Sequence, residues 1–212
     1  MINFNFAVLI CILNVGKRDV CTTFVLHQKK TDDMNFLQII DKYYPCDDDL
    51  RNIYMVHATR VAELALDFSR RHPELCMDNK FIEESAMLHD LGIFLTDAPG
   101  IHCHGSAPYI CHGFLGAELL RKEGFPRHAF VCERHTGTGL TKELIAEKGW
   151  PLPQIDMRPQ SLEEQVICFA DKFYSKTRHL YEARTFEQVK ASMAKISQAS
   201  VDRVEEWQKL FG

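Results

Sequence analysis

Six residues of metal-ligating type recur along this chain in an ordered series: His57, the adjacent pair His89-Asp90, His112, His135 and Asp171. Each step in the series is about one helix plus one loop long. Each member can therefore come from a different helix, and all can converge on one point of a helical bundle. The pair sits in Ala86-Met87-Leu88-His89-Asp90-Leu91-Gly92-Ile93, at the end of an apolar run that a glycine then stops. Taken singly, each histidine is more readily a satisfied structural group. Together with two carboxylates the balance reverses, because burying Asp90 and Asp171 without partners costs several kcal/mol and a cation removes that cost. Four imidazoles and two carboxylates suit Fe, Mn, Co, Zn or a similar divalent ion. They are too many for one tetrahedral ion with an open position. They suit two ions sharing a bridging aspartate, here Asp90, and a bridging water.

The hydrophobic pattern supports an all-α fold from Met34 onward. A short helix over 35–44 ends at Pro45, and Asp47-Asp48-Asp49 places negative charge at the start of the next. That helix runs to about Arg71, with His57, Val61, Leu64, Ala65 and Phe68 on one face. Further helices are expected over 79–90, about 109–122, 127–135 and 141–148. Ser161-x-x-Glu164 reads as a capping box opening a helix to about Leu180. Thr185-x-x-Gln188 caps another, and a last helix covers 201–211. No period-2 strand pattern follows Met34. Residues 1–33 differ: two β-prone runs flank Gly16-Lys17-Arg18-Asp19. They read as a short accessory β-hairpin, a disordered extension, or a misassigned start, with the functional domain over 34–212.

Composition excludes several classes. Apolar residues make up 46% of the 212, enough for one sizeable core. The net charge of −4 and the lack of a basic run argue against a general nucleic-acid surface. No apolar run reaches the roughly 18 residues of a membrane helix. The eight cysteines include no C-x-x-C pair, which points to a reducing cytoplasm rather than a disulfide framework.

The order His57 … His89-Asp90 … Asp171 resembles the HD superfamily of metal-dependent phosphohydrolases. Ala86-Met87-Leu88-His89-Asp90-Leu91-Gly92-Ile93 looks like that family's signature segment, and Val166-Ile167-Cys168-Phe169-Ala170-Asp171-Lys172 like its closing aspartate helix. His112-Gly113 and His135-Thr136-Gly137 resemble the dinuclear subset, including bacterial HD-type dinucleoside tetraphosphate hydrolases. The resemblance implies a helical HD-domain bundle with His57, His89, Asp90 and Asp171 as core ligands. It implies His112 and His135 as ligands of a second ion. Two departures limit the carry-over. Ile93 stands where some relatives carry a lysine, and the further Gly-Tyr-Pro motif of cyclic-dinucleotide phosphodiesterases is missing.

The expected function is hydrolysis of a phosphoester or phosphoanhydride in a small phosphorylated molecule, a nucleotide above all, by a metal-activated bridging hydroxide. Asp90 and Lys172 are the expected catalytic groups. Lys172, Lys176, Arg178, Arg134 and Arg60 are the candidates to hold substrate phosphate, with Arg178 on the Asp171 face of its helix. Glu133 is a candidate to orient a ligand from behind. His102 and His104 belong to a loop that could cover the site, and His72, His128 and His179 are expected at the surface. Two alternatives share the ligand set: a di-iron oxygenase, and a non-catalytic regulatory module that binds metal or nucleotide.

Overall fold

The computed structural model describes residues 35–212, all within one compact unit, Met34–Gly212. The readings made for residues 1–33 lie outside the described residues. Among those described, the protein is mostly helical, with one small sheet.

The helix α1 spans Phe36–Tyr43. The long helix α2, Asp49–Arg71, starts on Asp48, whose carboxylate accepts from the Arg51 amide. Asp49 in its first turn and Arg70 and Arg71 in its last complement the helix dipole. It ends before Pro73, which disfavours helical backbone in the residue preceding it. Its buried stripe holds Tyr54, His57, Ala58, Val61, Ala65 and Phe68, while Leu64 is only half-buried. The helix α3, Asn79–Leu88, is capped by the Asp78 side chain and delivers His89 and Asp90 at its C-terminal end.

The segment expected to be plain loop holds three short strands: β1 Thr96–Ala98, β2 Cys103–His104 and β3 Ala107–Pro108, in the order β2-β1-β3. β1 runs antiparallel to β2 and parallel to β3. Strands of two and three residues are too short to display an alternating pattern, so periodicity could not reveal them.

Next come α4 His112–Lys122, α5 Pro126–Arg134, α6 Lys142–Lys148, α7 Leu162–Asp171, α8 Phe186–Met193 and α9 Gln198–Phe211. The α2 helix packs on α3 and α7, and α4 on α5. Phe169 anchors the core, stacked on Phe68 at 5.4 Å and flanked by Trp207 and Phe211 of α9.

Two sequence expectations change here. The box at Ser161 is half formed: Ser161 accepts from the Glu164 amide, but the Glu164 carboxylate takes the Gln160 amide and Arg134. The box at Thr185 is complete. The helix opened by Ser161 stops at Asp171 rather than near Leu180. The Phe173 and Tyr174 amides bond three residues back, tightening the exit. Ser175–His179 then closes on itself, with the Ser175 amide on the His179 carbonyl and the His179 amide on Ser175 Oγ, each at 3.0 Å. Arg178 is thus carried to the surface, away from the face it would share with Asp171 in a continuous helix.

Candidate metal centre

The segment carrying His89 and Asp90 is pinned from both sides. Tyr54 donates its hydroxyl to the Met87 carbonyl at 2.7 Å, and Tyr44 to that of Leu91 at 3.0 Å. Gly92 then lets the chain pass against α4. A Cβ there would stand 2.3 Å from the His112 carbonyl oxygen and 2.4 Å from the Gly116 nitrogen. One on Gly116 would stand 2.5 Å from Cys132 Sγ. The loop after Asp90, the start of α4 and α5 approach so closely because these positions lack side chains.

Three of the four histidines use one local device. Nδ1 of His89 lies 2.6 Å from the Ala86 carbonyl, that of His112 2.7 Å from Tyr109, and that of His135 2.7 Å from Cys132. Each partner is three residues upstream, at a helix terminus or in the 3-10 turn that leads into one. A carbonyl only accepts, so each Nδ1 carries the hydrogen and donates. Each Nε2 is left as a lone pair aimed inward, the form that ligates metal. Their backbone carbonyls are held too, by Cys132 Sγ donating to His89 at 2.9 Å and Cys168 Sγ to His135 at 3.3 Å.

Inside this frame, acceptors face acceptors. His112 Nε2 and His135 Nε2 are 2.9 Å apart, and His57 Nε2 and His89 Nε2 are 3.3 Å apart. Asp90 is fully buried and divides its oxygens between the two pairs. Oδ2 lies 3.1 Å from Nε2 of both His57 and His89; Oδ1 lies 3.4 Å from Nε2 of both His112 and His135. Asp171 Oδ1 adds contacts of 3.0 Å to His57 and 3.5 Å to His89. His57 Nδ1 and both Asp90 oxygens are buried without a well-directed hydrogen bond among the described residues.

A proton offers a poor remedy at one end. Burial and the neighbouring His135 push the His112 imidazole down to about 3, and burial lowers His135 as well. Burial also works against a charged His89, yet Asp90 and Asp171 raise it to about 9. Burial opposes ionisation of Asp90, but Lys176 and His89 hold its pKa well below the usual carboxylate range. The carboxylates thus keep their charge and the His112 and His135 imidazoles stay neutral, the forms in which both ligate metal. A donor set of imidazole lone pairs and carboxylates at these separations fits divalent cations. Two groups could hold them: His57, His89, Asp90 and Asp171, and Asp90, His112 and His135.

Two lysines approach the same carboxylates. Lys172 Nζ binds Asp171 Oδ2 at 2.6 Å and the His135 carbonyl at 2.9 Å. Lys176 Nζ lies 2.5 Å from Asp90 Oδ2 and 3.3 Å from His57 Nε2. Both border a cavity of about 280 Å³ that opens on His112, His135 and Asp171.

The structure does not bring the other candidates here. Arg60 pairs with Glu63 and is half-buried. Arg134 forks onto Glu164 at 2.9 and 3.1 Å and lies over Phe130. Glu133 meets Arg121 rather than a site histidine. His102 and His104 are exposed. His128, expected at the surface, is half-buried against Phe81 and Glu84. Two residues bordering the cavity escaped the sequence reading. Tyr109 stacks on His112 with ring centres 4.6 Å apart, and Arg184 enters from beyond α7. A tyrosine three residues before a site histidine was the available signal for the first; Arg184 had none.

Helices that converge buried histidines and aspartates on one point form a cluster compatible with divalent metal, which fits a metal-dependent hydrolase-type domain. The chain belongs to the HD superfamily of metal-dependent phosphohydrolases: the HD domain family profile matches residues 54–175. It is similar to an uncharacterized protein of Methanocaldococcus jannaschii, 37% identical over 125 residues, or 58% of this chain and 68% of the relative. It is also similar to proteins named tRNA (cytidine(56)-2'-O)-methyltransferase from Picrophilus torridus and Thermoplasma volcanium, at 33% and 28% identity. Those matches cover 48% and 70% of this chain but only 26% and 38% of the relatives' own lengths. No solved structure matches.

Proposed function

We propose that this protein hydrolyses a phosphoester or phosphoanhydride bond in a small phosphorylated molecule, a nucleotide above all, using two divalent ions. The observation that carries the reading is the division of Asp90, one oxygen toward His57 and His89 and the other toward His112 and His135. A carboxylate shared between two cations would be divided in this way, which supports the reading. His57, His89, Asp90 and Asp171 would hold one ion, and Asp90, His112 and His135 the other. Such ions supply Lewis acidity, lowering the pKa of water towards neutrality and neutralising charge on phosphoryl oxygens.

The remaining work falls to the chain. The carbonyls of Ala86, Tyr109 and Cys132 keep three imidazoles in the ligating tautomer. Lys172 orients Asp171 and ties it to the His135 backbone. Lys176, whose ammonium lies beside Asp90 and which borders the cavity, would hold phosphate oxygen there. The methyltransferase activity named for two relatives is not carried over, because the chain matches only a minor part of each.

The test is turnover of a panel of nucleotides and simple phosphoesters with Mn, Fe, Co and Mg, alongside metal analysis. Asp90→Asn is expected to drop bound metal below one ion per chain and turnover by more than about 100-fold, beyond the effect of losing an outer contact. No hydrolysis of any phosphorylated compound by protein with verified metal would overturn the proposal. Iron content with an O₂-dependent spectral change would move the assignment to the oxygenase reading.

A further inference from the structure

Beside the metal cavity lies a second cavity of about 320 Å³, and Ser175 and Arg184 border both. Its lining residues include Arg178, Arg184, His179, Ser175, Thr177 and Ser192, with no Asp or Glu among them. Arginines of the described residues differ in pairing, and Arg203 bonds the Thr138 carbonyl rather than a carboxylate. Arg51, Arg121, Arg127 and Arg134 each meet a carboxylate. The side chains of Arg178 and Arg184 meet none among the described residues. Uncompensated guanidiniums beside hydroxyl donors form a surface whose chemical complement is a phosphate-like anion.

The local backbone holds this surface in register with the metal cluster. The Arg184 amide bonds the Phe173 carbonyl at 2.7 Å, two residues beyond Asp171. The Ser175–His179 loop is closed at both of its ends. Because Ser175 Oγ accepts from the His179 amide, its own hydrogen is left to donate.

We propose that the Arg178–Arg184 cavity is a second anion subsite, and that the substrate carries at least two phosphoryl groups. One is held at the metal cluster and another here, with Arg184 between them. This rests on the phosphohydrolase reading for the first group, but the subsite is testable without turnover. Titration calorimetry on the metal-loaded protein, in excess Mg²⁺ to mask chelation, compares inorganic triphosphate with orthophosphate. Triphosphate is expected to bind at least tenfold tighter, about 1.4 kcal/mol. Arg184→Ala and the surface variant Arg178→Ala are each expected to shrink that ratio several-fold. Arg184→Lys should restore it only in part, since an ammonium cannot fork onto phosphate. Lys142→Ala, a loss of the same charge at a residue that lines neither cavity, should leave the ratio unchanged. Equal binding of the two anions, or a ratio indifferent to Arg178 and Arg184, would overturn the subsite whatever the enzyme hydrolyses. A subsite intact in a protein that hydrolyses nothing would instead overturn the phosphohydrolase reading alone.

Discussion

Asp78 illustrates how a single side chain both starts an element and reads pH. Its carboxylate accepts from the Phe81 amide at 3.1 Å and lies 3.3 Å from Arg127, capping the helix that ends in His89. Asp78→Ala should cost about 1 kcal/mol, seen as a lower denaturant midpoint with unchanged slope. The hydrogen bond from the Phe81 amide, and the Arg127 guanidinium behind it, lower the Asp78 pKa despite slight burial. A carboxylate with a depressed folded pKa binds fewer protons folded than unfolded. Its contribution is therefore present above the unfolded value and lost as pH falls through the folded one. The gap between the parent protein and Asp78→Ala should close on acidification below about pH 4. A gap that stays constant down to pH 2 would show that charge plays no part in the cap.

At the scale of elements, α4 is positioned by what it lacks. His112 opens it, and Gly116 one turn on meets Gly92 and Cys132. Gly116→Ala forces a methyl against Cys132 Sγ and the Gly92 backbone, so α4 must move and carry His112 with it. The expected cost is about 1–3 kcal/mol of stability. Metal analysis should show loss concentrated in the ion assigned to His112 and His135. The group of His57, His89, Asp90 and Asp171 comes from α2, α3 and α7 and should retain its ion. Equal loss of both ions, or full retention, would contradict this division of the site between elements.

For the whole molecule, the cluster is a stability term as well as a reaction centre. Buried carboxylates and inward lone pairs from five helices meet at one point, where a divalent ion would bind them more fully than Lys172 and Lys176 alone. Removing metal with a chelator should lower the melting temperature by about 5–10 °C for ions held at 100 times their dissociation constant, and re-addition should restore it. An unchanged melting temperature after verified metal loss would mean that Lys172, Lys176 and a protonated His89 suffice as counter-charge.

How much of this was legible in sequence follows from the range of the forces involved. Helix starts at Asp48, Asp78, Ser161 and Thr185 are local, since a side chain bonds an amide two or three residues ahead. The order of His57, His89, Asp90, His112, His135 and Asp171 is likewise a property of the chain, and the structure gathers all six at one point. The early end of α7 depended on a loop closing on itself and on Lys176 turning inward to Asp90, a contact between residues far apart in sequence. Arg134 and Arg60 looked equivalent to Lys176 along the chain. Only packing decided that they face Glu164 and Glu63 instead. The sequence by itself determined which residues could bind metal and that helices would present them. The tertiary structure decided which oxygen of Asp90 faces which histidine pair and which cations remain unpaired beside it. Those depend on distances between helices, which no local pattern encodes.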